Sequence, residues 1–543
     1  MKKVTAHTTK ISILMFLLLC LFFFFRVNFA QTPFVTLKLN SPVSKKFKNT
    51  EPNIFYINAK VNDLIEVECD RVGIDISLTV YNSVKEKIVS SNSPIGFIGK
   101  DKLIFVAKTT GIYEIKIVSR RPGTFDGNYT LNWKTQRLAT ETDVKLFQAM
   151  ELLGNSRTAL ESTQNRFDTA TVEIENLKKA AQIFSEIDDK QNLANAYFQI
   201  GYIVGKEHGN ESEAIKFYEQ VITLWKKLGD ERSLSIVLAH LGYELRTIGQ
   251  NQKSVAILEN ARSLNQKFKD TLGESITLTF LCKLYNDTQS FQKGFEACRE
   301  AMRLSKDSDP VNNFFTYLFL SSLYANIGDA ENSQKYENLS LERIRLTKNY
   351  LNPINLVIAK SGIAGRLLWQ KKYSEATSEY LELLRISESV KRPFYISYYS
   401  HQLAMIFNEL KEFDKAIEYS EKSLKIYRQY YPRHLQAPLR VAAKAYNAVG
   451  KHDLAREMWE QAIELNQTNG DNYAQSEALS ELAYFEKNLG NSETAYRHIR
   501  QAVNLSELIR SQLFGQAQRS SYLQILRSYY ELEISLLADL NQK

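Results

Sequence analysis

Cysteine and histidine are where hydrolytic or metal chemistry would have to begin, and this chain of 543 residues has four of the first and seven of the second. A cysteine nucleophile needs a thiolate with a base in reach. Cys69 falls in the strand-like run LIEVEC and Cys20 in an apolar N-terminal run, neither a setting that activates a thiol. Cys282 and Cys298 occupy the small and wedge-filling positions of two successive helical stretches, where buried packing is the ordinary role. Paired helices would bring those two positions together, so a Cys282–Cys298 disulfide is the sharper expectation if the chain is exported. The histidines form no His-Glu-x-x-His and share no ligand spacing with cysteine; His208 stands at a helix end and His401 on a helix face. No Gly-x-Ser-x-Gly, P-loop or dinucleotide fingerprint occurs, and Asp188, Asp189 and Asp230 sit where turns explain them. The chain is expected to be no enzyme, with no cofactor and no metal.

The elements that hold these residues follow a repeat. Small residues recur in one local setting at Ala214, Ser254, Gly294, Ser333, Ala376, Ala416, Ala455 and Ala495, at spacings of 40, 40, 39, 43, 40, 39 and 40. Around each, apolar residues fall three and four apart, as in a helix with one buried face. An upstream helix carries a Leu-Gly type pair, as at Ile200-Gly201, Leu241-Gly242 and Leu403-Ala404, and Gly209, Gly249, Gly328, Gly450 and Gly490 mark stops between the two. Such a unit cannot bury its apolar face alone, so an all-α solenoid of eight to nine helix pairs is expected over 136–510. A further helix over 511–543, with Leu526, Tyr529 and Tyr530 on more than one face, would cap or link.

Before the repeats the period is two. LIEVEC, ISLTVY, LIFVA, YEIKIV and YTLNW alternate apolar and polar residues between turn-forming stretches, which predicts an antiparallel β-sandwich over 31–135. Ahead of it, Lys2, Lys3 and Lys10 precede the apolar run Ile11 to Phe25 and a small residue, Ala30. That order predicts a secretory signal peptide over 1–30 and a periplasmic or secreted protein; left uncleaved, the segment would instead anchor the chain to a membrane. The net charge of +8 is spread over 69 basic and 61 acidic residues with no basic block beyond the N-terminus, so nucleic acid is not an expected partner.

Three resemblances rest on these patterns. The β segment, with Gly111 and Tyr113 opening a late strand, resembles the bacterial pre-peptidase C-terminal-like domain, which implies an accessory module. The helix pairs, with their small residues and aromatic wedges, resemble tetratricopeptide repeats, though at about 40 residues per unit rather than 34. The longer unit, together with the helical stretch from Leu508 to Leu540, is similar to the arrays that precede caspase-like CHAT protease domains in bacterial proteins. By the tetratricopeptide resemblance, the concave wall is lined by Phe198, Tyr202, Tyr243, Arg246, Lys283, Asn286, Arg366, His401, Asn408, Arg440, Lys444, Asn447, Tyr484 and Lys487. Basic, amide and aromatic groups dominate these positions and carboxylates are missing. The implied function is a non-catalytic scaffold whose groove takes an extended or helical peptide of acidic character. The alternative is the recognition arm of a CHAT protease whose catalytic domain is missing or encoded separately.

Overall fold

A computed structural model describes residues 35–47, 52–91, 98–119, 127–162, 166–288, 290–305, 309–326, 329–347, 353–512 and 516–541. The expected signal peptide and the expected stop at Gly328 lie outside them. Among the described residues no helix is long and apolar enough to cross a membrane.

Among the described residues nine strands make the β unit: β1 (Val35–Thr36), β2 (Val43–Phe47), β3 (Asn53–Ala59), β4 (Asp63–Val72), β5 (Ile76–Tyr81), β6 (Lys87–Ser90), β7 (Ile98–Val106), β8 (Gly111–Ser119) and β9 (Gly127–Leu138). They form one sheet in the order β1-β3-β8-β5-β6 and a second in the order β2-β9-β4-β7. All pairings are antiparallel except that of the two-residue β1 with β3. The alternating runs mark β4, β5, β7, β8 and β9; β1, β2, β3 and β6 escaped the pattern, because β1 and β6 are too short to show a period and VSKKF has few apolar residues. Strand alternation sends Phe55, Ile57, Val67, Leu78, Phe105 and Leu131 into the space between the sheets, where each is fully buried. The Gly-x-Tyr pair has a local cause. Tyr113 is buried against Phe105, and its hydroxyl donates to the Thr109 carbonyl at 2.9 Å and accepts from the Thr109 amide at 3.1 Å, closing the turn before β8.

Helices follow in pairs. After α1 (Glu141–Ser162) and α2 (Arg166–Glu186) come α3 (Lys190–His208) with α4 (Glu211–Leu228), α5 (Glu231–Thr247) with α6 (Asn251–Lys267), α7 (Thr271–Asp287) with α8 (Phe291–Ser305), and α9 (Pro310–Asn326) with α10 (Ala330–Thr347). Then come α11 (Pro353–Trp369) with α12 (Tyr373–Ser389), α13 (Pro393–Glu409) with α14 (Phe413–Tyr430), α15 (Gln436–Ala448) with α16 (His452–Asn469), and α17 (Asn472–Asn488) with α18 (Ser492–Gln512), before a last helix α19 (Gln516–Asn541). The fold is thus a two-sheet β unit followed by an α-solenoid of helix pairs.

The small residues set how close the paired helices come. Ala214, Ser254, Ala376, Ala416, Ala455 and Ala495 are fully buried on the second helix of each pair. On the first helix, a Cβ added at Gly201 would meet the Tyr218 ring at 2.8 Å, and one at Gly242 would meet Leu258 at 2.5 Å. A larger residue at either place would force the pair apart. The stops at Gly209, Gly249, Gly450 and Gly490 all have positive φ, and elsewhere Lys371, Lys391 and Lys411 take the same left-handed conformation. Asp189, Asp230, Asp270, Asp309 and Asp471 precede first helices and accept from the amide three residues on. Their place at repeat junctions is therefore helix capping, worth about 1 kcal/mol each.

One apolar core runs from the sheets into α1 to α7 without a break. At the junction, Arg137 of β9 donates to both carboxylate oxygens of Asp143 in α1, at 2.6 and 2.9 Å, and Asp143 also accepts from the Thr140 amide at 2.8 Å. These bonds, led by Arg137, hold the Asp143 carboxyl down to about 2. Its stabilisation is present above the ordinary carboxylate range and is lost as pH falls through about 2. Asp143→Asn should flatten the stability loss between pH 4 and pH 2 in acid titrations followed by circular dichroism; an unchanged slope would reject the junction's role.

The structure bonds Cys282 of α7 to Cys298 of α8, with Cα atoms 5.3 Å apart, while Cys69 stays buried in β4, where burial pushes its thiol far above the ordinary range. Closing a loop of this length contributes about 3 kcal/mol through the unfolded chain. Thiol titration of the denatured, unreduced chain should leave Cys282 and Cys298 unreactive, and Cys282→Ser with Cys298→Ser should lower the urea midpoint. Labelling of both cysteines would overturn the bond.

Candidate inner wall of the solenoid

The first helices of the pairs carry the predicted wall residues, and the structure divides them into three groups. Phe198, Asn286 and His401 are buried, at 6%, 4% and 8% exposure, and do not line an open wall. Phe198 packs on Tyr218, Trp225 and His240 with ring centroids 5.4–6.2 Å apart, as a core aromatic. Asn286 donates to Ser322 Oγ at 2.9 Å and accepts from Asn326 at 2.8 Å, which ties α7 to α9. Burial, reinforced by the nearby Arg440 charge, lowers the His401 pKa to about 4, so this imidazole is neutral at physiological pH.

The cations form the second group, and here the expectation of a free basic wall is corrected. Arg246 and Lys283 both reach Asp287, at 2.5 and 2.6 Å. Arg366 pairs with Glu337 at 2.8 Å. Arg440 forks onto Glu481 at 2.7 and 2.9 Å and onto Glu477 at 2.8 Å, while Lys444 also meets Glu481 at 2.8 Å. Lys487 lies against Ser535 and 3.9 Å from Asp539 of α19. Burial would raise the Glu481 carboxyl, but Arg440 and Lys444 outweigh it and hold it below its usual range. For Arg246, Arg366, Arg440 and Lys444 the carboxylate missing from the chosen positions comes from a neighbouring repeat, while Lys283 finds Asp287 within its own helix. The separations from Arg246 to Asp287 and from Arg440 to Glu481 are both 41 residues, one repeat, so the pairing was open to a search at that spacing.

Tyrosine and amide groups make the third group. Tyr202 is half-buried, accepts from Lys206 at 2.7 Å and meets the His240 ring edge-on. Half-buried Tyr243 packs on Phe280 under the Arg246 guanidinium, 4.8 Å from its centroid. Asn408 donates to the Val441 carbonyl at 3.0 Å, Asn447 contacts His452 Nδ1 at 3.1 Å, and Tyr484 is 45% exposed. Two features of the first helices carried no sequence signal. Half-buried Tyr395 of α13 packs on the rings of Phe394 and Tyr399, with centroids 5.5 and 6.1 Å away, and burial pushes its hydroxyl far above the ordinary range. Glu244, beside Gly205 and Tyr218, is pushed up to about 8 by burial, with Glu211 adding to it, so it is largely a neutral acid at pH 7. Among the described residues no cluster of His, Cys, Asp or Glu could hold a metal ion.

Glu481 also accepts from Trp459 Nε1 at 3.1 Å, so it serves two cations and an indole in a partly buried place. Glu481→Ala should cost about 1–3 kcal/mol in urea unfolding. The exposed Arg527–Glu531 pair is the control, and Glu531→Ala should stay within about 0.5 kcal/mol. Equal losses would show that the wall pairs carry no special weight.

Residues 394–468, from α13 into α16, match the family described as tetratricopeptide repeat. The pentatricopeptide repeat-containing protein ELI1, chloroplastic, of Arabidopsis thaliana is 22% identical over 206 residues, 38% of this chain and 29% of that protein, under a third of its length. Among solved structures, a Rap protein complexed with Competence and Sporulation Factor aligns at 13% identity and a TM-score of 0.47, covering 69% of this chain and all of the other. The STAND protein with a tetratricopeptide repeat sensor, PH0952 from Pyrococcus horikoshii, aligns at 15% identity and a TM-score of 0.44, covering 69% of this chain and 56% of that one. The small-residue marks inside the matching stretch, Ala416 and Ala455, belong to the series that runs from Ala214 to Ala495.

Proposed function

We propose that this chain is a non-catalytic interaction scaffold that binds an extended peptide or protein segment along the inner wall of its helix pairs. The observation that carries the reading is the division of that wall. Its cations are each answered by a carboxylate of the same chain, while Tyr202, Tyr243 and Tyr395 stay half-buried and Tyr484 stays exposed. Tyrosine offers a large apolar face and a hydroxyl at small entropic cost, which suits binding of an extended segment. An acidic partner would have to displace Asp287 or Glu481 from their cations, so apolar and backbone contacts lead and charge follows. The N-terminal basic and apolar stretch supports an exported scaffold working in the periplasm or outside the cell, with the β unit as an accessory module resembling pre-peptidase C-terminal-like domains. Association with a CHAT-type protease domain is the second reading, and it rests on the similarity of the 508–540 helical stretch to the segment that precedes such domains.

Selection of displayed peptides against the purified chain tests this. Tyr202→Ala with Tyr243→Ala should weaken a selected peptide about tenfold or more, from the 1–3 kcal/mol that aromatic contacts contribute. Glu481→Gln should strengthen an acidic peptide and leave a neutral one unchanged. Peptides whose affinity ignores the tyrosine changes would reject the inner wall as the site.

A further inference from the structure

In a solenoid each repeat normally touches only its neighbours. Here the first helix pair, α3 with α4, meets the sixth, α13 with α14. Glu207, in the last turn of α3, forms an ion pair with Arg392, the residue that precedes α13, across 185 positions of sequence. Both side chains are buried, at 1% and 4% exposure. Beside them the Phe167 ring of α2 lies between His208 and Tyr430, with centroids 4.6 and 5.1 Å away. Gly209, in the left-handed conformation, faces Tyr431, and a Cβ there would stand 3.0 Å from that ring. Tyr431 itself is 3% exposed.

The two charges sit where their own helices do not want them. A carboxylate in the last turn of α3 opposes the helix dipole, and so does a guanidinium at the start of α13. Arg392 also makes no side-chain cap, at a position where Asp189, Asp230, Asp270, Asp309 and Asp471 cap the equivalent helices. The chain gives up a cap there and gains a cation that crosses to Glu207. With the α3 C-terminus against the α13 N-terminus, charges and dipoles cancel together.

We infer that this seam is a latch: it closes the first five helix pairs into one turn, and its opening is what admits an extended segment to the inner wall from the side. The second half rests on the peptide-binding reading above; the first does not. Hydrogen exchange on the full chain tests closure without any ligand. Glu207→Gln or Arg392→Gln should speed exchange about tenfold or more at both the α3 end and the α13 start, leaving α17 and α18 unchanged. Glu207→Arg with Arg392→Glu should restore part of the protection, and Tyr430→Ala should loosen the same two segments without touching a charge. Faster exchange only in the altered helix, or uniformly along the chain, would overturn the latch. Gating is tested with a peptide selected by display against the whole chain. Its association rate should rise at least threefold in Arg392→Gln, and an unchanged rate would overturn gating while leaving closure to the exchange result. Failure of all peptides to bind would remove gating along with the binding reading, and closure would still stand or fall on exchange.

Discussion

Close approach of two helices at a small residue is the contact on which the solenoid depends. Where Gly201 meets Tyr218 and Gly242 meets Leu258 there is no room for a Cβ, and Ala214, Ala416 and Ala495 are buried to nothing on the opposing helices. Dispersion and burial reward only helices that come this near, so a small residue every 40 positions sets the pair geometry all along the array. The capping aspartates and the left-handed stops then position the next pair, and a wall of first helices follows as their consequence.

That wall is polar in composition and nearly neutral in effect. Arg246, Arg366, Arg440 and Lys444 look like an anion site when one repeat is considered, and become inter-repeat ties when the next is laid beside it. An ion pair linking successive repeats resists shear between them, and it leaves Tyr202 and Tyr243 half-buried and Tyr484 exposed on the first helices. The β unit joins the same body through a shared core and the Arg137–Asp143 bond, so a partner held by the solenoid and one held by the sheets would share a fixed scaffold.

Much of this was readable from residue order. Alternation in LIEVEC and YEIKIV marked strands because one face of each is buried; the strands too short to show a period, β1 and β6, could not be marked that way. Glycine stops were visible at Gly209 and Gly450, but Lys371, Lys391 and Lys411 adopt the same conformation with no mark, since the neighbouring turns impose it on them. For the candidate wall, spacing identified which helix positions repeat. It did not tell a half-exposed tyrosine from a buried Phe198 or His401, because exposure depends on what the adjacent pair places above each residue.

Local rules therefore settled the helix pairs, their period, their caps and the alternation of the strands, all of which depend on side chains within about one repeat of each other. The pairing of Glu207 with Arg392 and the seating of Phe167 between His208 and Tyr430 obey no such rule. A small rotation at each junction, summed over five pairs, decides whether the first pair meets the sixth. No single residue encodes that sum, and only the assembled chain shows that it closes.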